Sequence, residues 1–512
     1  MPSLGFRFRL CQFLSGGALP EAFRGDSEKN EKIFKIGYTF PVDNIRHDIY
    51  IQNYILRGSA ATGRNVVRSL IVAFSMLVLS PPVLLAADRS VTLQEALQSA
   101  LERNHLVNGA RFEREAAERG AAASRSRYFP HIFLEEGFAA SDAPDRVFMM
   151  KLDQGRFTLD DFQLENLNTP SSYRDFRTAV TLEQPLFDLG IGYGREMAEK
   201  EAERAGFSLA QRREDVGLAV YAAYLDVQKG RVTLAATEKE VAEARESLRV
   251  AQARSREGTA LRSDELRART FLSESEQRTI TALNDLRLAR MRLALATGED
   301  AGGSLDIAEE LISSPVRLSE DELVREALVN RSDLKGGEKD VERAEAAAGA
   351  ARSAWFPTVY AGASYQMNNR DVPFGRDNDA WMAGVNLRWE LFDGLRRSHD
   401  QAKAGAVRQA ALQYLEQQRK EVVLRVREAA LRREEAGKRL EVARHALLAA
   451  DEGMRIVAKR YENGLATMVE LLDAQSALNR SRTGLVERES EYLLATARVY
   501  HAAGLFLKET VK

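Results

Sequence analysis

Side chains that could carry out chemistry are sparse in this 512-residue sequence and do not cluster. A metal site or an acid–base pair needs histidines or carboxylates at short, defined spacings. The histidines beyond the first 62 residues show no pair at metal-ligand spacing; they stand at positions 105, 131, 399, 445 and 501. The sequence has no nucleophile elbow and no phosphate loop ending in Gly-Lys-Ser/Thr. We therefore expect no enzymatic activity, no cofactor and no metal.

The acidic residues with the most distinctive placement follow two glycines. Asp264 comes shortly after Gly258, and Glu470 and Asp473 come shortly after Gly464. Asp264 and Glu470 fall in the predicted first turn of a helix, where a carboxylate interacts favourably with the helix dipole. On the residues alone, this role at a helix start explains their positions.

The elements that position these residues are two copies of a helical hairpin. Large apolar residues stand in one seven-residue frame before each glycine: Val220, Val227, Leu234, Val241 and Leu248 in the first copy, and Val426, Leu440, Leu447, Met454 and Tyr461 in the second. The two series are offset by 206 residues, as are Gly258 and Gly464. The next apolar position of each heptad holds mostly small residues, which let neighbouring helices interdigitate closely. The same period favours a core position for Tyr461.

Proline placement allows the helices before these turns to be very long. No proline occurs between Pro185 and Pro315, and none follows Pro373. Because proline breaks helix interiors, residues 189–257 can form one α-helix about 100 Å long. Shorter helices are predicted at 92–103, at 107–127 and at 319–354, the last with a break near Ser332.

Short segments before each long helix alternate between apolar and polar residues. Val385, Leu387, Trp389 and Leu391 alternate with polar residues or glycine, and a partner segment begins at Thr358. The first repeat has a pair of less regularly alternating segments within about 131–186. Four strands of about ten residues match the length of tilted membrane-barrel strands. We expect the loops at 140–175 and 367–380 to be surface loops.

Aromatic residues cluster at the ends of these strands. Phe129, Phe187, Phe356 and Phe392 stand there, and Phe129 and Phe356 directly follow a tyrosine and a tryptophan. Such rings are typical of the aromatic girdle at a membrane interface. Aromatic residues also flank strands in soluble sheets.

Four strands are too few to close a membrane barrel, because the smallest have about eight and an open edge cannot lie in lipid. The sequence therefore predicts an oligomer that shares one barrel, with its helical hairpins standing side by side as a cylinder. The expected fold is mostly α with membrane β and is internally duplicated. The predicted boundaries are 1–62 as a misassigned start or disordered leader, 63–87 as a signal peptide, 88–297 as the first repeat, 298–318 as a connector, and 319–512 as the second repeat with a strand pair at about 358–391.

Composition supports export and excludes some functions. The formal charge is −2, so no basic excess suggests a nucleic-acid partner. The apolar run Leu70–Leu85 follows two arginines and precedes small residues, as in a secretory signal peptide. Cys11 is the only cysteine, so the expected mature chain has none.

From about Val91 to its end, the chain resembles the TolC-type outer membrane efflux proteins. The resemblance is carried by paired motifs in the same order: Phe-Pro before a strand, Leu-Phe-Asp before a long helix, and the turns Glu257-Gly258-Thr259 and Asn463-Gly464-Leu465. It implies a homotrimer with a twelve-stranded outer membrane barrel and a periplasmic α-helical barrel. Such proteins are the exit ducts of tripartite efflux pumps and type I secretion systems. Their partners are a periplasmic adaptor and an inner membrane transporter.

The resemblance also assigns roles at the turns. Gly258, Thr259, Gly464 and Leu465 match the tips that contact the adaptor. Asp264, Glu470 and Asp473 match an inward ring of carboxylates that constricts the closed channel. Some relatives carry an arginine latch where this chain has Ala466, and the nearby Arg262 is a candidate substitute.

A second function fits the heptads equally well. A soluble periplasmic coiled-coil scaffold or adaptor protein would use the same hairpins as spacers. An adaptor, however, would carry one central hairpin, whereas here the hairpin is doubled and each copy follows a strand pair. The strand pairs therefore favour the duct.

Overall fold

The computed structural model describes residues 89–300, 304–312, 316 and 318–510. The predicted leader and signal peptide lie outside these residues. In chain order the elements are β1 (Arg89–Val91), α1 (Leu93–Arg103), α2 (His105–Ser126), β2 (His131–Ser141), α3 (Pro144–Asp153), a 3₁₀ helix (Leu159–Phe162), α4 (Leu164–Asn168), β3 (Tyr173–Phe187), α5 (Leu189–Arg256), α6 (Arg262–Thr297), β4 (Leu305–Ile307), α7 (Glu320–Asn330), α8 (Ser332–Ser353), β5 (Thr358–Asn369), β6 (Asn378–Arg388), α9 (Arg396–Glu462), α10 (Met468–Ala502) and α11 (Phe506–Thr510).

The long hairpins predicted from the heptads are confirmed. Helix α5 has 68 residues and α9 has 67, so each is about 100 Å long. Val220 and Val227 of the predicted seam are fully buried, as is Ala244 from the small-residue series. A Cβ on Gly230 would lie 3.1 Å from Leu286 Cδ1, which shows how closely α5 and α6 approach. The alternation of large and small residues therefore packs α5 against its return helix α6.

None of the helices in the described part of the chain combines the length and the hydropathy of a membrane-spanning helix.

A short parallel strand pair was not predicted. β1 pairs with β4, and β4 lies inside the segment 298–318 that was expected only to connect the repeats. The buried Tyr224 of α5 fixes this pair, since its hydroxyl lies 3.3 Å from the Val91 carbonyl oxygen and 3.0 Å from the Glu309 carbonyl oxygen. The start of the described chain is thus joined to its middle beside the first long helix.

The remaining strands form one antiparallel sheet in the order β2–β3–β5–β6. The strand pairs of the two repeats therefore meet at β3 and β5. The pairing of β5 with β6 ends at Thr358–Arg388, so the prediction that placed Trp389 and Leu391 in the strand was wrong. The prediction of a surface loop at 140–175 was also wrong, because α3, a 3₁₀ helix and α4 fold within it.

The sheet has two chemically different faces. Its register aligns Leu134, Val180, Tyr365 and Trp381 across the four strands. Because side chains alternate along a strand, these residues share one face. We call it the apolar face; its apolar residues include Ile132, Leu134, Phe138, Val180, Leu182, Ala363, Tyr365, Trp381, Val385 and Leu387, and Glu136, Thr178 and Asp379 lie on it near the end remote from the long helices. The opposite, polar face includes Glu135, Asp175, Arg177, Thr181, Gln366, Asn368, Asn378, Asn386 and Arg388, and it also carries Phe133 and Met382.

Two glycines with positive φ provide a test of the packing at a helix end. Gly298 has φ +86°, and a Cβ there would lie 2.7 Å from the backbone carbon of Arg103. Gly258 has φ +71° with no atom within 4 Å of the same position. Gly258→Ala should cost only the left-handed strain of about 1–2 kcal/mol. Gly298→Ala should cost more, because the α1–α2 corner must also move.

Thermal unfolding of the two purified variants measures this difference. We expect Gly298→Ala to lower the Tm clearly more than Gly258→Ala does. Equal losses would contradict the close approach of the α6 terminus to the α1–α2 corner.

Candidate functional site at the hairpin turns

Both hairpin turns use a left-handed glycine to end a long helix. Gly258 and Gly464 have φ +71° and +72°. The Thr259 amide donates to the Arg254 carbonyl oxygen at 2.9 Å, and the Leu465 amide donates to the Arg460 carbonyl oxygen at 2.8 Å. These bonds satisfy carbonyl groups that a helix end leaves without partners. The four predicted tip residues, Gly258, Thr259, Gly464 and Leu465, are all exposed.

The return helices begin differently in the two repeats. In α10 the Thr467 hydroxyl accepts from the Glu470 amide at 3.3 Å, and the Glu470 carboxylate accepts from the Thr467 amide at 2.6 Å. This is a capping box, and the hydrogen bonds from the Thr467 amide and hydroxyl lower the pKa of Glu470. The equivalent residue before α6 is Leu261, which has no hydroxyl and makes no side-chain cap.

The carboxylates at the turns therefore differ in what they bind. Glu470 is bound in the capping box of α10, whereas Asp264, at the equivalent position of α6, has no threonine to bind. Asp473 is exposed, and within the described part of the chain neither Asp264 nor Asp473 has a cation at ion-pair distance. The Thr-x-x-Glu pattern of a capping box is visible in the sequence and could have separated Glu470 from the other two.

Arg262, the candidate latch, is engaged on its own helix. Its guanidinium pairs with the Glu265 carboxylate, which also binds Arg269 at 3.0 Å. Glu265 is buried, so it needs these cations to offset its loss of hydration. The structure thus gives Arg262 a local partner rather than a bond between the hairpins.

At the turns the two hairpins are joined by Arg254, which sequence reasoning missed. Its Nη1 donates to the Tyr461 carbonyl oxygen at 2.9 Å, and its Nη2 donates to the Glu462 carbonyl oxygen at 3.1 Å. The guanidinium also lies 4.5 Å from the centroid of the Tyr461 ring. A cation at the C-terminal end of α9 is favoured by the helix dipole. Nothing local in the sequence indicates this contact, because its partners lie about 207 positions away.

Tyr461 is a core residue, as the heptad favoured. It is 7% exposed and packs in a cluster contributed by α5, α6, α9 and α10. Burial raises the pKa of its phenol, while Arg254 opposes this shift and Asp264 adds to it. The cluster holds the two turns together directly beside the carboxylates.

Comparisons with known proteins agree with this architecture. The family profile described as "Outer membrane efflux protein" matches residues 96–299 and 323–505, which is most of the chain and covers both repeats. The chain belongs to the outer membrane efflux protein family. Its function is accordingly that of an outer membrane exit duct in an efflux or secretion system.

Individual relatives of this outer membrane efflux protein are distant. Protein CyaE of Bordetella pertussis is 27% identical over 437 residues, covering 83% of this chain and 87% of the relative. Nodulation protein T of Rhizobium leguminosarum bv. trifolii is 23% identical over 319 residues, covering 60% of this chain and 67% of the relative. The Campylobacter jejuni CmeC outer membrane channel has the same fold, with a TM-score of 0.69 at 14% identity over 81% of this chain and 86% of that one.

The predicted interface aromatics of this efflux protein gather at one end of the sheet. Phe129 follows α2, Phe187 ends β3, Phe356 precedes β5 and Phe392 follows β6. All four are exposed and lie at the sheet end from which the long helices depart. The described residues hold no cluster of His, Cys, Asp and Glu side chains suited to a metal ion.

Proposed function

We propose that this efflux protein works as a homotrimer whose sheets close one twelve-stranded barrel in the outer membrane. The observation that carries the proposal is the four-stranded sheet, in which β2 and β6 have free edges within the described residues. Its apolar face is open in the protomer: Trp381 is 79% exposed and Val385 66%. Lipid would cover this face, and neighbouring copies would pair the edges, since open strand edges do not occur in hydrocarbon.

The helices then form a hollow cylinder in the periplasm. The aromatic residues at the helix-side end of the sheet support a membrane interface there. From that interface α5 and α9 extend about 100 Å to the turns at Gly258 and Gly464. A periplasmic adaptor docks at the exposed tips, and the adaptor connects the duct to an inner membrane transporter.

The duct is gated at these tips by Asp264 and Asp473. In a ring around the symmetry axis, carboxylates without a local cation repel one another, so the channel can close tightly there only when cationic groups bridge them. The same carboxylates favour cations in the lumen. The capping box of Glu470 explains its position without a gate, so we assign it to the start of α10. Arg254 clamps the end of α9 against α5 and takes the place of a latch at Ala466.

The alternative of a soluble coiled-coil scaffold does not account for the sheet. A soluble protein rarely leaves a continuous apolar face of this kind uncovered. A buried sheet would instead show its apolar residues packed against a second layer, whereas Leu134 and Leu387 are each 65% exposed.

Purification of the exported chain tests the duct directly. We expect it to need detergent for extraction, to have the mass of three copies, and to conduct ions in planar bilayers. A monomer that stays dispersed in detergent-free buffer and never enters vesicles would refute the proposal.

Removing the Arg254 clamp should loosen the tip. In Arg254→Ala, the carbonyl groups of Tyr461 and Glu462 lose charge-assisted hydrogen bonds worth roughly 1.5–3 kcal/mol each when well shielded, and less here because the site is partly exposed. The expected result is a higher open probability in planar bilayers and faster amide exchange at the end of α9. Arg254→Lys should be intermediate, because lysine keeps the charge but loses the two-pronged geometry.

Arg256 is the matched control for this prediction. It lies in the same turn of α5 and is exposed. Arg256→Ala should leave both readouts at the level of the parent protein. If the Arg254 and Arg256 variants behaved alike, the clamp would have no role in closure.

A further inference from the structure

The segment between β2 and β3, residues 142–172, is folded and takes no part in the gate. We call it the cap. Its rings pack on one another: the centroids of Phe148 and Phe157 lie 4.5 Å apart, and those of Phe157 and Phe162 lie 5.1 Å apart. Val147 of α3 is 2% exposed. A hairpin needs no such structure to reverse its direction, as the short turn at 370–377 between β5 and β6 shows.

The cap lies on the polar face of the sheet. Gln154 Nε2 donates to Asp175 Oδ1 of β3 at 2.7 Å, and Asn368 Nδ2 of β5 donates to the other oxygen of Asp175 at 2.8 Å. Asn378 Nδ2 of β6 donates to the Asp153 carbonyl oxygen at 3.1 Å. Three different strands therefore contribute polar-face side chains to this contact.

The contact is buried and its central side chain is fully satisfied. Gln154 is 1% exposed; its nitrogen also donates to the Arg174 carbonyl oxygen at 3.0 Å, and its oxygen accepts from the Tyr173 hydroxyl at 2.9 Å. Arg156 binds Asp377 of the facing turn at 2.9 Å. Breaking such a network leaves buried polar groups without partners, which costs free energy for each one. The cap is thus held in place rather than free to swing.

The cap sits at the sheet end remote from the helices. The helix-side ends of the strands are marked by His131, Phe187, Thr358 and Arg388, whereas the cap bridges Ser141 and Tyr173 at the opposite ends. If the polar face lines the lumen, as the proposed function requires, the cap projects into the outer mouth of the duct.

The cap carries an excess of carboxylates. It contains six acidic residues and three basic ones. Lys151 pairs with Asp161 at 2.5 Å, so its charge is already neutralised within the cap. Three copies around one axis would place net negative charge around the mouth, which favours cations over anions.

Resting on the proposed function, we propose that residues 142–172 form a fixed constriction at the outer mouth, which limits solutes by size and selects for cations. It is a second narrow point in series with the periplasmic tips. Because it is pinned to the sheet, it restricts the channel permanently and does not open in response to the tip.

Shortening the cap tests the constriction. Residues 144–170 are replaced by a short Gly-Ser linker in the gate-opened Asp264→Ala/Asp473→Ala protein, so that the tip no longer limits current. The shortened channel should conduct about twofold more than this parent, and its reversal potential in a KCl gradient should move towards zero. Gln163→Ala, at an exposed position of the cap, is the matched control and should match the parent in both readouts.

The outcomes separate this inference from the proposed function. If the parent conducts and cap removal leaves its conductance and ion selectivity unchanged, the constriction is refuted and the duct stands. If neither protein forms channels although both reach the membrane as trimers, the duct itself fails.

An engineered disulfide tests the placement without deleting anything. A Cβ on Gly155 would lie 3.5 Å from the Asn378 Cβ, at the short end of the disulfide range of about 3.5–4.5 Å. In a Cys11→Ser background, Gly155→Cys with Asn378→Cys should cross-link in the membrane-embedded protein, and conductance should be the same oxidised or reduced. Failure to cross-link would refute the contact with the polar face. A fall in conductance on oxidation would show a moving lid instead of a fixed constriction.

Discussion

Replacing Asp264 and Asp473 together by alanine should raise the single-channel conductance of the protein several-fold in planar bilayers. In the trimer these residues would supply six carboxylates at the tips, and they lack local cations in the described protomer. Removing them eliminates the charge ring and much of the side-chain bulk at the constriction. The same variant should admit large antibiotics to cells that are otherwise resistant, which gives a second readout in vivo.

Glu470→Gln is the control that makes this prediction specific. Glu470 occupies the same helical position as Asp264, yet its carboxylate is bound to the Thr467 amide and hydroxyl. The substitution should weaken the start of α10 by about 1 kcal/mol, by analogy with the loss of other capping interactions, and leave conductance near that of the unmodified channel. If Glu470→Gln opened the channel as widely as the double variant does, our assignment of Glu470 to the helix start rather than to the gate would be wrong.

The parts of the fold that repeat locally could be predicted from sequence. Val220 and Val227 are seven residues apart on one helix, so their period alone reveals a seam. The strand pattern around Val385 likewise needs only neighbouring residues. Both signals come from side-chain geometry within one element.

The parts that depend on distant contacts could not be predicted. β1 and β4 have three residues each, too few to show a period, and they pair across more than 200 positions. The cap follows no amphipathic pattern of its own, and Gln154 owes its burial to β3. In the sequence, Arg254 cannot be told from any other arginine near a helix end. Only the folded structure shows that α9 brings the Tyr461 carbonyl group beside it.

Val385→Arg should prevent stable assembly in the outer membrane. Val385 lies on the apolar face and is 66% exposed in the protomer, where the proposed barrel meets lipid. An arginine facing hydrocarbon costs about 2–4 kcal/mol near the bilayer midplane, and each of three copies would carry one. Membrane fractionation and the amount of heat-resistant trimer on gels measure the loss.

Asn386→Arg is the decisive comparison, because Asn386 is the next residue of β6 and faces the other side of the sheet. An arginine there would project into the water-filled lumen, where it keeps its hydration and adds only positive charge. This variant should assemble normally and shift ion selectivity towards anions. Comparing the two variants shows which face of the sheet contacts lipid. If Asn386→Arg failed to assemble and Val385→Arg assembled, the face that carries Asn386 would be the one in contact with lipid. If both variants assembled equally well, the reason to place this sheet in a membrane would be gone.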